Sequence, residues 1–208
     1  MTGEENVNSG WVGTLTGRQI NLDRVLASDI DIIDIAAGLA NQCRYAGQAW
    51  PHYSVAEHSI LVSQMVHESP GSDIRLKALL HDAPEYILND LVRPVKRRLS
   101  GYDELEDRVM NAVAERWGLE YTAEDWKNIK HYDDLITISE RKVLMPFLPK
   151  HSYGQGVPAS QVPLVNFKCL PPVDGMMAFL KVFSMLSGWK PDLKQRQTIN
   201  WMVKRAKR

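Results

Sequence analysis

Tyr53-Ser-Val-Ala-Glu-His58-Ser-Ile-Leu-Val62 opens on a helix signal. Ser54 with Glu57 three residues later fits a capping box, in which each side chain satisfies a backbone N–H of the other. The apolar spacing of Val55, Leu61, Val62 and Met65 predicts a helix from Val55 to His67. On a wheel of 100° per residue His58 falls on that apolar face and points inward. A second stretch, Ala78-Leu-Leu-His81-Asp82-Ala-Pro-Glu85, lies in a run read as helical from Asp73 to about Tyr86. It places an imidazole and a carboxylate in one turn. Pro84 removes a backbone hydrogen bond and clashes with the preceding turn, so that helix is expected to kink or end there and re-aim Glu85.

Helical periodicity continues on both sides. Ile30 to Tyr45 is apolar-rich, and Tyr102 to Trp117 is amphipathic with Gly118 as its terminator. Thr122 with Asp125 begins a helix over Ala123 to Phe147. Taking Asp133 as zero on that wheel, Trp126, Ile129, Ile136, Glu140 and Leu144 fall within about 60° of it, whereas Asp134 falls beside Lys127, Lys130 and Arg141. Periodicity therefore selects Asp133 as the inward acid and Asp134 as a surface one. Only Trp11 to Asn21, with β-branched residues around Gly17-Arg18, reads as a short hairpin. Pro149 to Pro172 is longer than an ordinary structureless connection and is expected to be a lid, a subunit contact or a mobile loop. A helix over Gly175 to Leu186 and a basic tail follow. The fold class expected is all-α, a helical bundle with a small N-terminal β-hairpin. Residues 1–208 are read as one domain, with a core over about 13–147 and C-terminal loop and helices over 148–208.

The bulk numbers narrow the function. With 208 residues, 44% apolar and 24% charged, the chain is long enough for a full core. Its 25 Lys and Arg balance 25 Asp and Glu, so no global basic field favours a nucleic acid polymer. Cys43 and Cys169 are too few for a disulfide framework and suit a reducing compartment. The first residues lack a signal-peptide pattern, and no apolar run approaches the ~18 residues of a membrane span. A cytoplasmic location is expected.

A buried carboxylate or imidazole must be neutral, paired or coordinated. Taken singly, His58, His81, Asp82 or Asp133 reads as a hydrogen-bonded core residue. Together, two imidazoles and two carboxylates make a four-ligand set for a divalent ion (Mn, Co, Zn, Fe or Mg), leaving positions for water and a phosphate oxygen. Glu85, near the same face, would orient or deprotonate the attacking water or bind a second ion, against a bland role as a solvated acid. Asp90, in Leu88-Asn-Asp90-Leu, is either a turn residue or a second acid of the site. Arg44, Arg93 and Lys96 are candidates for substrate phosphates, though each alone reads as a surface cation. Trp50-Pro51 offers a wall for a planar base, or ordinary packing.

These residues resemble the HD superfamily of metal-dependent phosphohydrolases, and within it the 5′-deoxynucleotidase-like branch. The likeness runs from about Gly13 to Met145. It is carried by Ala40-Asn-Gln-Cys-Arg44-Tyr-Ala-Gly47, the His58 and His81-Asp82 stretches, Asp90-Leu-Val-Arg-Pro-Val-Lys96, and Asp133 followed by Glu140-Arg141. The resemblance implies that His58, His81, Asp82 and Asp133 hold the metal. It further implies that Glu85 and Asp90 serve the catalytic water or further ions, and that Arg44 meets phosphate or sugar. Phage members of this branch take triphosphate from dATP in viruses whose DNA carries 2-aminoadenine. The reaction expected is therefore hydrolysis of a 2′-deoxynucleotide, favouring dATP to deoxyadenosine plus triphosphate, with dADP or dAMP also possible. A 5′-deoxynucleotidase acting on monophosphates is the alternative. Pro84 and the Pro149–Pro172 connection depart from the family pattern. A nucleotide-binding regulator without turnover and a di-iron oxygenase are the rivals from other classes. The second would need further histidines, and His52, His67, His131 and His151 do not follow His81-Asp82 at the required place. Expected partners are the nucleotide and further copies of the chain, with no nucleic acid polymer and no membrane.

Overall fold

The computed structural model describes residues 10–66, 73–149 and 156–207. Within them the chain is an all-α bundle with a two-stranded N-terminal hairpin. Strands β1 (Trp11–Gly13) and β2 (Gln19–Asn21) pair antiparallel, Val12 opposite Ile20, around a turn where Gly17 has φ +84°. Ile20 is fully buried and roots the hairpin in the core. Helix α1 (Ile32–Asn41) is capped by Asp31, whose side chain accepts the Ile33 N–H. Ile32, Ile33, Ile35, Leu39 and Ala40 are all buried, because α1 packs on several sides at once, including the later helices over Val55–Met65, Glu85–Leu88 and Pro172–Ser187. It stops four residues before the expected Tyr45. There the backbone leaves the helix to pair with residues 53–55, Arg44 N–H to the Tyr53 carbonyl and Val55 N–H to the Gln42 carbonyl.

Helix α2 (Val55–Met65) begins where expected, while His67 lies outside the described residues. The box at its start is only half formed. Ser54 accepts the Glu57 N–H, but the Glu57 carboxylate accepts the N–H groups of Lys168, Cys169 and Leu170 instead. The expected helix over 73–86 is corrected more strongly. Helix α3 (Ile74–Leu79) ends at Leu79, residues 80–84 form consecutive turns, and α4 (Glu85–Leu88) restarts behind Pro84. His81 and Asp82 thus sit on an irregular elbow, not on a helix. Gly38 lets α4 close on α1, since a Cβ there would meet Tyr86 at 2.8 Å.

A short turn α5 (Arg93–Lys96) leads to α6 (Tyr102–Trp117), closed by Gly118 in the left-handed region as expected. Helix α7 (Ala123–Leu144) carries the Thr122–Asp125 capping box. The described part of the long connection is docked against the core. Ser139 Oγ donates to the Pro163 carbonyl, Phe167 stacks edge-on against Tyr53, and three N–H groups reach Glu57. Helix α8 (Pro172–Ser187) buries Phe179 and Phe183 completely against the core of α1, each worth about 1.5–3 kcal/mol. The basic tail is also a helix, α9 (Leu193–Ala206), with an Asp192–Gln195 capping box and no buried residue. None of the described helices is long and apolar enough to cross a membrane.

Candidate metal centre

The elbow between α3 and α4 faces α2 and α7, and three of the four expected ligands, His58, His81 and Asp133, converge there, with Asp82 beside the two histidines but outside that group. His58 from α2 is fully buried, and its Nε2 lies 3.2 Å from Asp133 Oδ1 of α7 and 3.6 Å from Asp82 Oδ2. His81 Nε2 lies 3.2 Å from Asp82 Oδ2. Ligand atoms of His58, His81 and Asp133 all fall within 4.8 Å of one another, a group that could hold a metal ion. Two ligands about 2.1 Å from one ion and at right angles would stand about 3 Å apart, close to these separations.

The imidazoles are aimed by their other nitrogens. A carbonyl oxygen only accepts, so His81 Nδ1 carries the proton it donates to Ala78 (2.8 Å). His58 Nδ1 donates to Glu140 Oε1 (2.6 Å). In the neutral rings both Nε2 atoms are therefore left as lone pairs, buried and without a hydrogen-bond partner. Such orphaned acceptors are costly in a core unless something electrophilic meets them. The fixing of one ring nitrogen so that the other can ligate is the usual support of a histidine–metal bond. The residues fit a divalent cation.

The same chemistry governs their protonation without an ion. Burial and Arg44 push the His58 imidazole down, but Glu140 and Asp133 outweigh them and raise it to about 9. Burial opposes ionisation of Asp82, yet His81 and His58 hold it down at about 2. Asp133 is likewise held well below the usual carboxylate range, burial being outweighed by His58. These are sites that attract a positive charge, whether a proton or a metal.

Asp133 and Asp134 separate in exposure as the periodicity predicts, their side chains 16% and 47% exposed, while Lys130 and Arg93 pair with both. Glu85 lines the cleft beside Asp82, with Oε2 shielded and unpartnered. Burial, then Asp82 and Asp90, pushes its carboxyl well up. Asp90 also lines the cleft and accepts the Tyr45 N–H, and burial with Asp82 raises it despite Arg44. Gln42 staples this acidic edge, donating to the Glu85 carbonyl and accepting the Asp90 N–H.

Arg44 is buried between Glu140 (3.1 Å) and Asp82 (3.6 Å) and lines the cleft, as does Lys96, which is paired with Glu106. Arg93 lines it too, 57% exposed. Trp50 does not come to the cleft. It is 84% exposed and absent from the lining, because the chain turns through Pro51 and its backbone bonds to the end of α7 at Leu144. The cleft, of about 400 Å³, takes its aromatic wall from Trp126 and Tyr45 instead.

Glu140 is the residue whose part sequence reasoning missed. Its wheel position beside Asp133 marked an inward acid with no partner assigned, and that was the available signal. In the fold it is fully buried and accepts from His58, Tyr53 (2.9 Å), Tyr45 and Arg44. Of the remaining histidines, His131 is exposed against the Tyr132 ring, and His67 and His151 lie outside the described residues.

No family model matches the chain. It is 32% identical over 180 residues to the uncharacterized protein YfdR of Escherichia coli K12, covering 85% of this chain and 96% of that one. It is 47% identical over 115 residues to an uncharacterized protein of Rhodobacter capsulatus, covering 52% of this chain and 59% of the other's length.

Proposed function

The chain belongs to the family of the E. coli protein YfdR, and we propose that it is an HD-type metal-dependent phosphohydrolase acting on 2′-deoxynucleotides. The favoured reaction is dATP to deoxyadenosine and triphosphate, and 5′-deoxynucleotidase action on monophosphates is the alternative. Both break the same bond, between the 5′-oxygen and its phosphorus, so one site can serve either.

The observation that carries this reading is the pair of orphaned His Nε2 lone pairs facing a common point flanked by Asp82 and Asp133. What a divalent ion supplies when held there is an acidified water and neutralisation of phosphoryl charge. The chain's own groups do the rest. Glu140 keeps the His58 ring turned and its Nδ1 protonated. Glu85, shielded and pushed up, is placed to take a proton at Oε2 from an attacking water and to return one to the departing 5′-oxygen. Arg93 and Lys130 on the cleft wall provide charge for phosphate oxygens, and Arg44 secures Asp82 from behind. The preference for dATP rests on the family resemblance, and the cations along the wall are compatible with it.

The test is incubation of the pure protein with single deoxynucleotides and Mn, Co, Zn, Fe or Mg, with products separated by chromatography. Deoxyadenosine plus triphosphate from dATP is the expected result. No cleavage of any nucleotide with any of these metals overturns the reading, and ligand-induced thermal stabilisation without product would establish the regulator instead.

A further inference from the structure

We propose that Trp126 is the substrate-contact residue that selects a planar base, so that the site takes nucleotides in preference to sugar phosphates. This rests on the phosphohydrolase reading and deepens it. Trp126 lies seven residues before Asp133, on the same face of α7 and about 10 Å along the helix axis. It lines the same cleft and is 39% exposed. A phosphoryl group near Asp133, joined through one pentose, brings a base to that distance. An inorganic phosphate or a three-carbon ester does not reach it.

The indole is also held ready. One face lies on Tyr121, ring centroids 4.7 Å apart and 20° from parallel. Tyr121 is itself anchored, its hydroxyl donating to the Lys77 carbonyl (3.1 Å) and the Lys77 ammonium standing 5.9 Å from its ring centre. Lys77 is tied in turn to Asp125, the residue next to Trp126 (2.9 Å). A rigid aromatic presented at a cleft wall loses little entropy on stacking a ligand ring. Exposure of so large an apolar surface toward a polar cleft is otherwise unfavourable. Met110 of α6 lines the same cleft and adds apolar surface to it.

The experiment compares dAMP with 2-deoxyribose 5-phosphate, which share the phosphate and sugar and differ by the base, in the presence of Mn. Stacking one base on an aromatic is worth about 5- to 150-fold in affinity. Trp126→Ala is expected to raise KM for dAMP about tenfold or more, to leave KM for 2-deoxyribose 5-phosphate and both kcat values unchanged, and to be largely rescued by Trp126→Phe. Equal changes for the two esters, or none, overturn the inference. If the wild type hydrolyses neither ester, the monophosphate alternative fails on its own, and the phosphohydrolase reading stands or falls on the dATP assay above. Calorimetric binding of dAMP then decides about Trp126: a loss on Trp126→Ala upholds its role, and unchanged binding or no binding by the wild type removes it.

Discussion

Glu140 and Glu85 stand at opposite edges of the same cluster, both shielded from water, and the fold treats them in opposite ways. Glu140 has four donors around its two oxygens, and although burial opposes ionisation, Arg44 and His58 hold it down at about 2. Glu85 has an oxygen with no partner and two acids, Asp82 and Asp90, beside it, so it is pushed well up. Glu140 is buried completely and Glu85 in part, its Oε2 shielded, and the donors decide the charge. One glutamate is a fixed anion that turns a histidine, and the other is free to carry a proton. Such divergence between neighbouring carboxyls is how roles are divided in hydrolytic sites.

The comparison can be broken from its centre outward. Asp133→Ala removes the acid proposed as a metal ligand between the two edges and should take metal-dependent turnover to the assay floor, while Asp134→Ala should leave most of it. Comparable losses in the two variants would undo the assignment of Asp133. Glu85→Gln should lower kcat by about 10² to 10⁴ while metal affinity, read by calorimetry with Mn, stays within about twofold. Glu140→Gln should do the reverse, weakening metal affinity about 10- to 100-fold because the His58 ring loses its anionic anchor. If both variants move affinity and kcat together, the two edges are not distinct.

A smaller effect belongs to acid stability. Glu140 titrates at about 2 in the fold against 4.5 unfolded, so its stabilisation is complete above about pH 4.5 and is lost as pH falls toward 2. Scanning calorimetry of the metal-free protein should show the melting temperature dropping across that window, with a shallower drop in Glu140→Gln. Smallest is Tyr53→Phe, which deletes one hydrogen bond to the Glu140 anion and should cost about 1.5–3 kcal/mol in denaturant unfolding.

How much of this was legible in advance depends on the range of the signal. The limits of α6, the Gly118 stop, the Thr122–Asp125 box and the inward turn of Asp133 are set by residues within a turn or two of one another. Those features were read correctly. Where a local signal competes with a distant partner, the local reading failed. Glu57 forgoes the Ser54 N–H for three N–H groups of residues 168–170, more than a hundred positions away. Gln42 to Arg44 leave an apolar helix to pair with residues 53–55. Trp50, placed beside the site by its proximity in sequence, points to solvent, and Trp126, marked only by its wheel position, reaches the cleft.

Periodicity and capping are short-range properties of the backbone, and they suffice for a helical chain with a hairpin at its start and for the inward histidines and acids. The elbow that carries His81 and Asp82 in place of a helix comes from packing across the fold. Contacts between distant segments hold Glu140 as an anion, push the Glu85 carboxyl up and bring Trp126 to the aromatic wall of the cleft. Those outcomes depend on which donors, acids and rings meet across the fold, and on the burial that makes each meeting count.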